Sequence, residues 1–220
     1  MSEIGIVSLR SRGDEKISHT QSTSSREFEM CKLFSGIAEA NSEVYGHLLA
    51  RMSKISQSIA KWIGFNTQVV SDIGLCSMLH DIGKVGVSRD IILKSGKFND
   101  AELQAMRNHP QIGYELLSME EFPSIKLAAD VALYHHERYD GTGYPTGRKG
   151  SEIPMYARIV AVADVMDAMI SERPYREAIP LSSVRDYMIE QRWRHFDPMC
   201  VDAVIRNWDK AVDIVDEFNE

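Results

Sequence analysis

Residues 42–64, SEVYGHLLARMSKISQSIAKWIG, decide the fold class of this chain. Their apolar residues follow one another at steps of three or four positions: Val44, Leu48, Met52, Ile55, Ile59 and Ile63. One face of an α-helix repeats at this spacing, so the stretch is predicted to form an amphipathic helix. Gly64 follows the last apolar position and predicts the end of that helix.

Helical spacing continues along most of the chain, and alternating strand patterns are essentially absent. The cap-then-Glu signature of Asn99 and Glu102 predicts a helix that passes through His109, with a kink at Pro110. Further helices are predicted over residues 27–40, 67–79, 123–137, 156–171, 181–193 and 198–215, and a Gly/Pro-rich loop over 138–154. The predicted fold class is therefore all-α, without an internal repeat.

Composition narrows the functional class. The 220 residues include 32 Asp and Glu against 25 Lys and Arg, a formal charge of −7. This acidic balance excludes a general nucleic-acid binder, which needs a basic face, but it allows one small anionic ligand in a locally positive pocket. Three widely spaced cysteines indicate reduced thiols and a cytoplasmic protein. We find no apolar run of membrane-spanning length and no secretory signal.

The chain divides into two parts by composition. Residues 1–25 are polar, with a Ser/Thr/Gln cluster at 18–25, and are interpreted as a flexible N-terminal segment or linker. Residues 26–220 are interpreted as one domain.

Histidines and carboxylates occur together near several predicted helix ends. His80-Asp81 and His135-His136 are adjacent pairs, and Asp164 lies in an otherwise apolar helix, where a carboxylate must be paired, hydrogen-bonded or metal-bound. Glu43 precedes His47 by one helical turn, and His109 stands alone on its helix. Imidazole and carboxylate together are ligands for Zn, Mn, Fe or Ni. Any one pair is more often structural, but five such segments favour a metal site.

Four segments, in order, resemble the motifs of the HD-GYP family, a subgroup of the HD-domain metal-dependent phosphohydrolases. They are LHDIGKVGV (79–87), HPQIG (109–113), HHERYDGTGYP (135–145) and ADVMDAMISERPYR (163–176). The resemblance covers about residues 41–208. It implies an HD-domain helical bundle with an extra C-terminal helical portion and a GYP loop.

The resemblance also implies an activity, the hydrolysis of a cyclic dinucleotide, chiefly cyclic di-GMP to pGpG and then GMP. The mixed GMP–AMP dinucleotide is the alternative substrate, and a catalytically weak dinucleotide- or cyclase-binding scaffold is the alternative class. Two or three divalent ions are implied, Fe or Mn first and Zn or Ni as alternatives, which would activate water and bind phosphate oxygens. The implied ligands are Glu43, His47, His80, Asp81, His109, His135, His136 and Asp164; Glu43 could equally be a solvated helix residue.

Further roles follow from motif position. His80, Asp81 and Lys84 are implied to be catalytic, with Lys84 neutralising the substrate phosphate. The implied substrate contacts are Lys84, Tyr144, Asp167, Arg173 and Arg176. Arg173 could instead pair structurally with Asp167, and the two interpretations are equally favoured. The GYP loop is implied either to line the substrate site or to contact a cyclase or regulatory domain.

Overall fold

The computed structural model describes Phe34 and residues 45–119, 123–170 and 178–218, with side chains from Leu49 onward in the first of these ranges. None of these residues forms a β-strand, so the all-α prediction is confirmed for them. Residues 1–25, most of the helix predicted over 27–40, Glu43, Arg173 and Arg176 lie outside the described residues.

Ten α-helices lie in the described ranges: α1 (Tyr45–Ile63), α2 (Thr67–Met78), α3 (Arg89–Ile92), α4 (Asp100–Arg107), α5 (His109–Leu117), α6 (Pro123–Tyr134), α7 (Met155–Ile170), α8 (Leu181–Glu190), α9 (Pro198–Arg206) and α10 (Trp208–Glu217). Two 3-10 turns, Ile82–Gly86 and Gly150–Glu152, lie in the connections. Each helix in these ranges is too short or too polar to cross a lipid bilayer.

Local signals place several helix ends where the sequence predicts them. α1 ends before Gly64, whose φ of 107° is in the left-handed region. Asn66 caps α2 by accepting a hydrogen bond from the Val69 amide at 3.0 Å. Asn99 and Glu102 form the predicted capping box at the start of α4.

Two predicted helices are each divided in two. The helix that begins after Asn99 ends at Arg107, and α5 begins at His109. Pro110 has no N–H to donate to the carbonyl of Met106, and the Nδ1–H of His109 occupies that carbonyl at 2.7 Å instead. The last helix divides at Asn207, whose side chain donates to the Ala203 carbonyl at 2.9 Å and competes with helical backbone bonding.

The core lies between α1, α2, α6 and α7, and the C-terminal helices α8, α9 and α10 contribute buried residues to it. The predicted apolar face of α1 is buried at Met52, Ile55 and Ile59. α1 packs against α2, α7, α9 and α10, and α6 packs against α2, α5 and α7. Burial of this apolar face supplies most of the stability of such a helix.

The segment between α8 and α9 contacts the start of the loop over residues 138–154. The amide of Tyr139 donates to the carbonyl of His195 at 3.0 Å, and the amide of Asp140 donates to that of Arg194 at 2.8 Å. The predicted helix over 181–193 ends early, at Glu190, and Trp193 has a left-handed φ of 67°. The C-terminal helices and the loop are therefore joined by backbone hydrogen bonds.

Replacing His195 with Phe is expected to reduce the loss of stability in acid. Burial, together with the charge of Arg138, lowers the pKa of His195 from 6.5 to about 4. The unfolded chain therefore binds a proton between these pH values that the folded protein does not, and stability falls as the pH falls through the interval. At about 1.4 kcal/mol per pKa unit, the wild type should lose up to about 3 kcal/mol more unfolding free energy than His195→Phe. Urea unfolding at several pH values measures this difference, and parallel profiles would contradict it.

Candidate metal centre

Three connections bring four proposed metal ligands together. Asp81 follows α2, His109 begins α5, and His135 and His136 follow α6. One ligand atom of each lies within 4.8 Å of the ligand atoms of the other three. His80 lies beside this group, with its Nε2 atom 3.9 Å from the Oδ1 atom of Asp164 on α7.

Asp81 is the central carboxylate of the cluster. Its Oδ1 atom lies 3.1 Å from the Nε2 atom of His109 and 3.8 Å from that of His135. Its Oδ2 atom lies 3.2 Å from the Nε2 atom of His80 and accepts a hydrogen bond from the Nζ atom of Lys84. The Oδ1 atom therefore faces residues of two other parts of the chain, and the Oδ2 atom faces residues of the segment that carries Asp81.

Gly83 and Gly113 allow the 3-10 turn after Asp81 to lie close to α5. A Cβ atom on Gly83 would lie 2.5 Å from the amide nitrogen of Gly113 and closer still to the carbonyl oxygen of His109. The 3-10 turn after Asp81 therefore packs directly on the backbone of α5. This contact brings Asp81 and His109 to the same site.

Backbone carbonyls determine the tautomers of three histidines. Nδ1 of His80 lies 2.6 Å from the carbonyl of Ser77, and Nδ1 of His109 lies 2.7 Å from that of Met106. Nδ1 of His135 likewise contacts the carbonyl of Ala132 at 2.9 Å. A carbonyl only accepts, so each Nδ1 carries a proton, and Nε2 is the ring nitrogen left to face the cluster as a metal ligand.

The Nε2 atoms of His109 and His135 are arranged so that they could bind a cation. The Nε2 atoms of His109 and His135 are 3.3 Å apart, and both point lone pairs at the same region. Carboxylate oxygens and oriented imidazoles are the ligands of Zn, Mn and Fe sites, and hydrogen bonding at the remote nitrogen is usual for metal-bound histidine. The donor set therefore fits a divalent metal ion.

The pKa shifts of most of these histidines and aspartates favour the protonation states in which they bind metal. Burial lowers the pKa of His136 to about 3 and that of His135 well below its usual range, so both imidazoles are neutral at physiological pH. Burial opposes ionisation of Asp81, but Lys84 and His80 outweigh it and hold its pKa well below the usual value. Burial raises the pKa of Asp164, a shift that a bound cation would reverse.

His47 lies on α1, but its side chain, like the whole of Glu43, lies outside the described part of the chain. Asp167 is buried at 4% exposure and forms an ion pair with Arg51, with the Nε and Oδ1 atoms 2.6 Å apart. This burial does not support the predicted substrate contact of Asp167. The sequence analysis assigned no role to Arg51.

Tyr144 of the GYP loop contacts the metal-ligand cluster directly. Its ring stacks on the imidazole of His136, with centroids 4.8 Å apart and planes at 24°. Burial raises the pKa of Tyr144 to about 12, so the hydroxyl remains a hydrogen-bond donor at physiological pH. The Tyr144 ring therefore lies where it can contact a molecule that is bound at the cluster.

Glu137 holds the GYP loop, a role that the sequence analysis did not assign. Its Oε1 atom accepts hydrogen bonds from the amide and hydroxyl of Thr146, both at 2.7 Å, and from the amide of Gly147 at 3.1 Å. The side chain is 2% exposed. A Cβ atom on Gly143 would lie 2.5 Å from the Cα atom of Glu137, so the loop packs on this backbone too. The position directly after the His135-His136 pair was the available signal.

Glu137→Ala is expected to lower the turnover of cyclic di-GMP, the substrate that the HD-GYP resemblance implies, by about tenfold or more. The metal content should be retained. The substitution leaves three donors of the exposed residues Thr146 and Gly147 without their acceptor, and each lost hydrogen bond costs about 1 kcal/mol. Glu137→Gln keeps one carbonyl acceptor and should recover part of the activity. Elemental analysis and turnover of both variants check this, with the exposed Glu190→Ala as the matched control. Unchanged turnover in Glu137→Ala would show that the loop needs no such support.

The cluster supports one type of chemistry. Asp81, His109, His135, His136 and the neighbouring pair of His80 and Asp164 would hold the metal. A bound divalent ion would supply Lewis-acid activation of water and phosphate. The chain itself supplies the ammonium of Lys84 and the hydroxyl of Tyr144 as donors at the edge of the site.

Several known proteins are similar to this chain. A family model described as the HD domain matches residues 32–200. The cyclic di-GMP phosphodiesterase response regulator RpfG of Xanthomonas campestris pv. campestris is 45% identical over 171 residues, which cover 78% of this chain and 45% of that protein. The 3'3'-cGAMP-specific phosphodiesterase 2 of Vibrio cholerae is 33% identical over 176 residues, which cover 80% of this chain and 34% of that protein. The chain thus spans less than half the length of either relative.

A solved structure shares the fold. The cyclic GMP-AMP specific phosphodiesterase V-cGAP3 of Vibrio cholerae superposes with a TM-score of 0.62 at 16% identity, covering 88% of this chain and 51% of that one. At this identity the match concerns the helical architecture alone. The family model and the 45% identity to RpfG, together with the motifs around Asp81 and His136, lead to one assignment. The chain belongs to the HD-domain family, and within it to the HD-GYP group.

Proposed function

We propose that this chain is a metal-dependent phosphodiesterase that hydrolyses a cyclic dinucleotide, with cyclic di-GMP as the main substrate. The observation that carries the proposal is the convergence of Asp81, His109, His135 and His136, with the Nε2 lone pairs of His109 and His135 directed at one another. The 45% identity to a protein named for cyclic di-GMP hydrolysis supports the choice of substrate.

In the proposed reaction, water adds to phosphorus, the P–O3′ bond breaks, and a proton passes to the departing 3′ oxygen. The product is linear pGpG, and a second cut would release GMP. Lys84 and Tyr144 would contact the phosphate and a base, and Arg173 and Arg176 would bind phosphate bidentately. Asp81 would serve as a metal ligand throughout.

We propose two or three divalent ions, with Fe or Mn favoured and Zn or Ni as alternatives. The donor set around Asp81 supports at least one metal position, and Asp164 near His80 supports a second. Glu43 and His47 would complete a third. We further propose a cytoplasmic location. Residues 26–220 would form the catalytic domain, and residues 1–25 would be a flexible N-terminal segment or linker. The GYP loop would contact a cyclase or regulatory domain.

Product analysis tests the function. The protein, loaded with Mn or Fe(II) under reducing conditions, is incubated separately with cyclic di-GMP and with the mixed GMP–AMP dinucleotide, and linear products are separated by chromatography. Cyclic di-GMP should be cleaved faster, and His80→Ala/Asp81→Ala should cleave neither. Cleavage of the mixed dinucleotide alone would make it, and not cyclic di-GMP, the substrate. Binding without cleavage of either dinucleotide would favour the scaffold alternative. Unchanged product in the double variant would contradict the assigned site.

A further inference from the structure

Arg107 lies at the edge of the metal-ligand cluster and has no role in the proposed function so far. It is the last residue of α4, two positions before His109, and it is exposed. Its guanidinium carbon lies 5.2 Å from the centroid of the Tyr144 ring. That ring stacks on His136. A row of contacts therefore leads from the cluster through Tyr144 to an exposed positive charge.

The charge of Arg107 is not neutralised within the described ranges. Its neighbours at three and four positions along the chain are Leu103, Gln104, Pro110 and Gln111, none of which is acidic. Glu102, the nearest acidic residue in sequence, accepts hydrogen bonds from Lys94 and from the Asn99 amide. No ion pair connects Arg107 to another described residue.

The contact with Tyr144 leaves the hydrogen-bonding capacity of Arg107 intact. A guanidinium near an aromatic ring interacts through its charge, and its five N–H groups remain available at the edges. Lys84, the other cation beside the cluster, already donates to Asp81. Arg107 is therefore the better placed of the two to bind an additional anionic group of a ligand.

We propose that Arg107 binds the second phosphate of the cyclic dinucleotide, the one that is not being hydrolysed. This inference rests on the proposed function. A cyclic dinucleotide has two phosphates on opposite sides of one ring, so when one is at the metal-ligand cluster the other lies away from it. The ring of Tyr144 lies between Arg107 and His136 of the cluster. The planar fork of Arg107 matches two phosphate oxygens.

Two substrates distinguish this role from a structural one. For cyclic di-GMP, Arg107→Gln should raise KM about tenfold, the loss expected for one charge-assisted hydrogen bond, and should leave kcat within about twofold. The reason is that the distant phosphate has the same charge in the ground state and in the transition state. For bis(p-nitrophenyl) phosphate, which has a single phosphate, KM should not change. Arg107→Lys should recover part of the affinity.

Arg206→Gln is the matched control, because Arg206 is also exposed and is also the last residue of its helix, α9. Equal KM values for cyclic di-GMP in the Arg107→Gln and Arg206→Gln variants would overturn the proposal. Equal impairment of Arg107→Gln on both substrates would also overturn it, since Arg107 would then act by supporting Tyr144 and His136. A wild type that cleaves no cyclic dinucleotide would instead contradict the proposed function itself.

Discussion

Asp81→Asn is expected to lower the turnover of phosphodiester substrates by roughly 1,000-fold, equivalent to about 4 kcal/mol of transition-state stabilisation. Asparagine has nearly the same size but no charge, and only one of its two terminal atoms accepts hydrogen bonds. The Oδ1 atom of Asp81 faces His109, and the Oδ2 atom faces His80 and Lys84. In the variant, the residues on one side would therefore face the NH2 group of asparagine, which cannot bind a metal.

Metal content should fall with activity in Asp81→Asn, because a neutral amide is a poor replacement for the carboxylate at the centre of the cluster. Elemental analysis of the purified variant and turnover with saturating Mn measure the two quantities together. Asp90→Asn is the control, since Asp90 is an exposed carboxylate on α3. A variant that keeps its metal and stays within tenfold of wild-type turnover would remove Asp81 from the ligand set.

Gly83→Ala is expected to lower turnover by at least about 100-fold and the free energy of unfolding by about 3 kcal/mol. The added Cβ atom would overlap the carbonyl oxygen of His109 and lie 2.5 Å from the amide nitrogen of Gly113. Both are backbone atoms of α5, so no side-chain rotation can relieve the overlap. The 3-10 turn must move away from α5, and Asp81 moves away from His109 with it.

Gly96→Ala is the matched control for Gly83→Ala. A Cβ atom on Gly96 would have one neighbour within 4 Å, the Cε atom of Lys94 at 3.9 Å. Its stability should therefore change by less than about 1 kcal/mol. Urea unfolding and metal analysis of both variants check the prediction. Wild-type metal content and stability in Gly83→Ala would mean that α5 and the 3-10 turn do not need their close approach.

The presence of the helices could be predicted because helix formation depends on residues that are three and four positions apart in the sequence. The apolar face of α1 and the capping box of α4 are contained in short stretches of sequence, and both are confirmed. The division between α4 and α5 was predicted only as a kink. It depends on the imidazole of His109, which occupies the carbonyl that Pro110 cannot bond.

The site was predictable in its residue types but not in its geometry. Family motifs named His109 and His136 as ligands, yet the same motifs assigned no role to Glu137, whose three hydrogen bonds hold the GYP loop. Asp167 was assigned to the substrate, whereas its carboxylate is buried against Arg51, 116 positions away. No local pattern encodes a pairing at that separation.

The amino-acid sequence by itself therefore determined the helical class, most helix ends and the residue types of the candidate metal site. Only the tertiary structure decided which atoms meet. The close packing of Gly83 on α5 brings Asp81 to His109, and backbone carbonyls turn the Nε2 atoms of His109 and His135 toward each other. The physical reason is that helix propensity and capping act within one or two turns, whereas ligand geometry depends on how separate helices pack.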